Sequence, residues 1–245
     1  MNSLELTRNT RRKIGEAIHD FSLIREGDRL MVGFSGGKDS LILLFALKAL
    51  QSRSPVRFEL EACTVDPTEG QADLEPLSRT CSSLGVPLTV ITVPIFRLIA
   101  ERSESHPCSF CANMRRGALS TFTREKGFTT LCLGHHLDDV VETTLLSLFF
   151  AGKFHCFSPL TWQDRSETRV IRPLIYLEEA QVEREAGRLG LPILDSSCPF
   201  SSESRRAWVK AQVKTMSTTA KELRFNILHA LRTGGLNGWD HSLRP

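Results

Sequence analysis

The chain has 245 residues, 41% of them hydrophobic and 24% charged, which suits one α/β domain with a full core. Its formal charge of +3 is too small to argue for nucleic acid by itself, so such a reading must rest on local clusters. No apolar run is long enough to span a membrane and the first residues lack a signal-peptide core, so a cytoplasmic protein is expected, with its seven cysteines as reduced thiols, metal ligands or catalytic thiols.

Residues 4–24 place Leu4, Ile14, Ala17, Ile18 and Phe21 at helical spacing beside Arg8, Arg11, Arg12 and Lys13. This basic amphipathic helix suits a solvated face or RNA phosphates. Glu26-Gly27-Asp28 turns into a first apolar strand, Leu30-Met31-Val32. Gly33-Phe34-Ser35-Gly36-Gly37-Lys38-Asp39-Ser40 follows, and apolar residues 41–45 run out of it: a buried strand, a glycine turn, then a helix N-terminus. Residues 58–65 alternate as a strand that stops at Asp66-Pro67. A helix over 73–84 and a strand over 88–93 come next. Beyond Cys108-Ser109-Phe110-Cys111 a helix runs through Arg115, Arg116, Leu119 and Phe122. Residues 129–133 form a buried strand ending in Gly134-His135-His136-Leu137-Asp138-Asp139, which opens a helix over 140–150. The stretch 170–174 reads as a short strand, and Pro173 assigns it to an edge. A polar-faced helix over 178–189 leads through Ile193-Leu194 to Ser196-Ser197-Cys198-Pro199. Residues 204–231 are mostly helical and basic, and the tail from Gly234 is expected to be loose. Apolar strands alternating with helices predict a parallel sheet covered on both faces. The expected divisions are an N-terminal basic helix (1–27), a central nucleotide-binding domain (28–200) and a basic helix with a tail (201–245).

Three constellations carry chemistry. The helix start after the glycine turn presents unpaired N–H groups and the positive end of a dipole, which suits a phosphate. Gly36 and Gly37 let backbone approach an anion, Ser35 and Ser40 add hydroxyls, and Lys38 adds a charge. The spacing is not that of the Walker loop. Asp66, at a strand end, lies near a nucleotide or simply opens a turn. In the second constellation Asp138 and Asp139 stand past a strand end, where carboxylates can hold Mg²⁺ against pyrophosphate. His135 is expected near the phosphates, with His136 as a packed neighbour. The third is Cys108-x-x-Cys111, ambiguous among redox, zinc and iron–sulfur roles. Its chosen partner is Cys198. Three thiolates suit a [4Fe–4S] cluster with one open iron, or zinc with His106 as fourth ligand. Arg115, four residues past Cys111, can steady a phosphate. Cys63, Cys81, Cys132 and Cys156 read as structural.

Ser35-Gly36-Gly37-Lys38-Asp39-Ser40 resembles the PP-loop of the N-type ATP pyrophosphatases. With Cys108-x-x-Cys111, Arg115-Arg116-Gly117, Gly134-His135-His136-x-Asp138-Asp139, Gly152-Lys153, Ile171-Arg172-Pro173-Leu174 and a late cysteine, the pattern is similar to the tRNA 2-thiocytidine synthetases (the TtcA family) over residues 5–215. The resemblance implies a Rossmann-like, adenine nucleotide alpha hydrolase-like sheet with the PP-loop after its first strand. It implies ATP bound by Ser35, Gly36, Gly37, Lys38, Asp39, Ser40, Asp66, Gly134 and His135, and catalysis by Lys38, Asp39, Arg115 and Asp138. It further implies Mg²⁺ on Asp138 and Asp139, and a [4Fe–4S] cluster on Cys108, Cys111 and Cys198. The activity implied is adenylation of O2 of an anticodon-loop cytidine, followed by displacement of AMP by sulfur. The implied partners are tRNA, a cysteine desulfurase as sulfur donor and a second copy in a homodimer. One departure stands out: the family's late cysteines usually read Cys-Asn-x-Cys, and here only Cys198 remains. Two other readings are another adenylating PP-loop enzyme, such as a lysidine synthetase, and a non-catalytic nucleotide-binding module with structural zinc. The first needs no Cys-x-x-Cys.

Overall fold

Leu30, Met31 and Val32 of β1 (Asp28–Gly33) have no exposed surface, because the strand lies inside the sheet with both faces covered. A computed structural model describes residues 5–105, 107–194, 205–236 and 238–239. In it β1 pairs in parallel with β2 (Phe58–Asp66) and β4 (Thr130–Cys132), so that Val32 lies opposite both Ala62 and Cys132. β3 (Leu88–Thr92) extends the sheet beyond β2, and β6 (Thr168–Ile171) extends it beyond β4. β5 (Leu160–Gln163) closes the far edge antiparallel to β6, giving the order β3-β2-β1-β4-β6-β5. The order reverses between β1 and β4. In open α/β sheets the crevice at such a reversal, at the carboxyl ends of the strands, receives ligands.

Alternation along β1 divides the core. Leu30 and Val32 face one layer with α2 (Lys38–Gln51), α3 (Glu75–Leu84) and, further out, α1 (Arg8–Asp20) and α7 (Glu179–Arg188). Met31 faces the other with α4 (Ile95–Glu101) and α5 (Pro107–Glu125). α6 (Leu137–Ala151) packs Val141 and Leu145 against Val209 and Val213 of α8 (Arg205–Thr219). α9 (Leu223–Thr233) puts Leu228 and Leu231 against Ala17 and Val140. No helix among the described residues is long and apolar enough to cross a membrane.

Four expectations about elements are corrected. β6 lies inside the sheet, because it ends at Ile171 and Pro173 falls beyond its ladder; β5 takes the edge instead. The Cys108–Cys111 pair lies in α5, which starts at Pro107, a residue whose fixed φ and missing N–H suit a first helical position. The basic C-terminal helix is two helices, α8 and α9. The tail is docked at Trp239, which has no exposed surface and whose Nε1 donates to the Phe157 carbonyl at 3.1 Å.

Candidate active site

The PP-loop leaves the carboxyl end of β1 and enters α2 with Gly37 as N-cap, and no side chain caps that helix. Its first N–H groups therefore remain available to an anion. The hydroxyl of Ser40 ties the loop together: it donates to the Gly37 carbonyl at 3.0 Å and accepts from the Ser35 N–H at 3.2 Å. Gly36 has φ +81°, and a Cβ there would lie 2.7 Å from Leu77 Cδ2 and 3.0 Å from Leu194 Cδ1. Both conformation and space demand glycine. At Gly134 a Cβ would meet the Asp39 carbonyl at 3.0 Å, so glycine there lets the β4–α6 turn abut the start of α2.

Acids and bases of five elements interlock at this point. Lys38 Nζ donates to Glu179 Oε1 at 2.9 Å and lies 3.5 Å from Asp39. Glu179 also receives Lys210 of α8 at 2.6 Å. Burial alone would raise the Glu179 carboxyl, but Lys210 and Lys38 hold it down to about 2. Asp138 uses both oxygens, Oδ1 on Arg224 Nε and Oδ2 on the Glu179 backbone N–H, each at 2.6 Å. Asp139 caps α6 through the His136 N–H at 3.0 Å and pairs with Arg206 at 3.0 Å. The buried His136 ring sits between Asp39 (3.6 Å) and Asp139 (3.5 Å). Asp39 Oδ1 is buried and accepts no hydrogen bond among the described residues; burial raises its carboxyl against the pull of His136 and Lys38. His135 packs against Phe157 with ring centres 4.8 Å apart and the planes tilted by 43°. Burial, then Arg172, lower it to about 4, so it is neutral at pH 7.

Beside the loop a cavity of about 700 Å³ opens over β1 and β2. Ser35, Val65, Thr68, Leu77, Arg115 and Leu194 are among its walls. Asp66 is not: it accepts from the N–H and hydroxyl of Thr68 and from the Gly70 N–H, shaping the turn that forms the wall. Arg115 brings a buried Nε without a hydrogen-bond partner among the described residues. Cys111 is half-buried one turn before Arg115, about 6 Å along α5, and Cys108 is exposed one turn earlier on the same side. His106 and Cys198 lie outside the described residues. Leu194, four residues before Cys198, lines the cavity and its N–H donates to the Gly36 carbonyl at 3.0 Å.

A family model described as a PP-loop domain matches residues 6–217. The tRNA-cytidine(32) 2-sulfurtransferase of Pelobacter propionicus is 38% identical over 235 residues, covering 94% of this chain and 87% of its own. That of Geobacter sulfurreducens is 37% identical over 222 residues, covering 89% and 86%. The chain belongs to the PP-loop family, among its tRNA 2-thiocytidine synthetases. A solved U34-tRNA thiolase, NcsA from Methanococcus maripaludis with its [4Fe–4S] cluster, aligns with TM-score 0.77 at 23% identity, covering 91% of this chain and 77% of its own. At that identity the likeness concerns the fold, and it supports the Rossmann-like, adenine nucleotide alpha hydrolase-like architecture.

The donor sets fit the groups such a PP-loop enzyme uses to different degrees. The uncapped helix, Gly36 and the cavity fit ATP. Asp39 Oδ1 accepts no hydrogen bond but faces Lys38 Nζ at 3.5 Å, and Asp139 spends its oxygens on Arg206 and the His136 N–H, so among the described residues no cluster of acids is free for a cation. Asp138, named for that role with Asp139, spends its oxygens on α9 and α7. Cys108 and Cys111 supply two thiols on one helix side. Sequence reasoning missed Glu179, which lies 41 residues from Asp138 and carries no local motif. It also gave no inward role to the basic C-terminal stretch, whose Arg206, Lys210 and Arg224 turn onto Asp139, Glu179 and Asp138.

Proposed function

We propose that the chain adenylates O2 of the tRNA cytidine named in its relatives, position 32, and replaces it with sulfur. The observation that carries this is one cavity lined by the PP-loop residues Gly33, Phe34 and Ser35 and by Arg115, which follows Cys111 and Cys108 by one and two turns of α5. Cytidine O2 attacks the α-phosphorus of ATP and pyrophosphate departs. The N–H groups at the start of α2 and the ammonium of Lys38 hold the charge that develops on the phosphates. Arg115 takes a phosphate oxygen from the cavity side. A sulfur nucleophile then attacks C2 and AMP leaves. Cys108, Cys111 and Cys198 would hold a [4Fe–4S] cluster, which when bound offers an iron with a position for sulfur. A cysteine desulfurase supplies the sulfur, and the working form is a cytoplasmic homodimer.

The test is purification without oxygen, with wild type beside Cys198→Ala. Brown protein with about four irons per chain, lost in the variant together with thiolation but not ATP binding, supports the reading. Colourless wild-type protein that holds zinc and modifies tRNA without sulfide overturns it.

A further inference from the structure

The last turn of α6 and the first turns of α8 carry an aromatic patch that the active site does not use. Phe149, Phe150 and Trp208 are 52%, 43% and 50% exposed. The Trp208 ring meets Phe150 at 5.8 Å and Phe149 at 6.3 Å, both nearly edge-on, and the Arg205 guanidinium stands 5.0 Å over Phe150. This is not unfinished core, since the facing sides of the two helices are already filled by Val141, Leu145, Val209 and Val213. Clustered exposed aromatics of this size mark an interaction surface.

Charge selects the partner. Residues 143–163 and 205–221 contain no Asp or Glu and six Lys or Arg. Arg206 and Lys210 are committed to carboxylates of the site. Lys153, Arg205, Lys214 and Lys221 are left, with no acid on their own stretches. Aromatic faces among cations suit unpaired RNA, whose bases stack and whose phosphates take the charges. A second copy docked face to face would bring like charges together. Position agrees: α6 begins at the active-site carboxylates, and Phe150 lies eleven residues past Asp139, about 16 Å along the helix.

We propose that Trp208, Phe149 and Phe150, with Arg205, form the platform on which unpaired anticodon-loop bases next to the target cytidine stack; this rests on the tRNA reading above. The test measures binding of an anticodon stem–loop RNA to the full chain carrying Trp208→Leu or Trp208→Phe, with ATP binding as the control for folding. The expected result is a loss of affinity of about 5- to 100-fold for Trp208→Leu, near wild-type affinity for Trp208→Phe, and quenching by RNA of the fluorescence that Trp208→Phe removes. Equal binding by wild type and Trp208→Leu overturns the platform and leaves the tRNA reading standing where wild type still thiolates. Loss of a dimer in Trp208→Leu with RNA affinity intact also overturns it, in favour of a contact between copies. A wild-type chain that binds ATP but not the RNA overturns both.

Discussion

At Gly36 a single hydrogen atom separates a working loop from a collision, because φ is +81° and Leu77 and Leu194 close over the missing Cβ. Gly36→Ala is expected to cost about 1–3 kcal/mol of stability and to weaken ATP binding. Gly37→Ala should be close to neutral in stability, since Gly37 has φ −69° and an added Cβ meets only Ser35 Oγ at 3.6 Å. Urea unfolding and ATP titration of both variants check this. The same scale sets the response to acid. His135 titrates at about 4 in the fold against 6.5 ordinarily, so between those values the unfolded chain binds the extra proton. Stability therefore rises with pH across that window and is lost on acidification, by at most about 1.4 kcal/mol per pH unit for this group. Glu179, held at about 2 against 4.5, adds a loss of the same sign between those two values. Melting temperature against pH should slope between pH 4 and 6.5, and His135→Asn should flatten it. An unchanged slope in that variant would assign the acid response to another group.

Elements, more than residues, decide which charges meet. α8 and α9 lie across the amino ends of α6 and α7, so Arg206, Lys210 and Arg224 neutralise Asp139, Glu179 and Asp138. An Arg206→Met, Lys210→Met double variant keeps side-chain length but leaves those acids less neutralised beside the phosphate site. Its Kd for ATP is expected to rise about 3- to 10-fold, in keeping with ion pairs that are half exposed on the cationic side. Isothermal titration at two salt concentrations checks it, and the gap from wild type should narrow at high salt. This layer was not legible in the sequence. The PP-loop and the turn from Gly134 to Asp139 were legible, because each is a local pattern at the end of an apolar strand. Glu179 joins them only through sheet order. Pro173 misled for a related reason: it marks the end of β6, and whether that strand is an edge depends on β5, whose four residues include an exposed Trp162 and carry no apolar run. Trp239 showed nothing locally in a glycine-rich tail, and its burial rests on Ala17, Leu137 and Leu228 brought from elsewhere.

For the molecule as a whole, the strand order reverses between β1 and β4, and the first and last described helices come together. α1 and α9 meet with Lys13 5.6 Å from the Phe225 ring centre and Ala17 in one cluster with Leu228, Leu231 and Trp239. The two basic stretches, far apart in sequence, thus adjoin. Several of their charges are spent internally: Arg11 on Glu5, Arg12 on Glu16, and Arg206, Lys210 and Arg224 on the active site. With a formal charge of only +3, tRNA binding must draw on the remainder, such as Lys214 and Lys221, through release of counterions. Each phosphate contact on an unpaired strand contributes about −0.7 to the slope of log K against log salt. Lys214→Ala with Lys221→Ala is therefore expected to make that slope shallower by about 1.4 if both take phosphates, with thermal unfolding unchanged because neither lysine is an ion-pair partner among the described residues. Anisotropy of a labelled anticodon stem–loop from about 50 to 200 mM salt reads this directly. A parallel line, weaker at every salt, would mean that these lysines leave the phosphates untouched and act through the shape of α8, because lost packing shifts affinity without changing the number of counterions released.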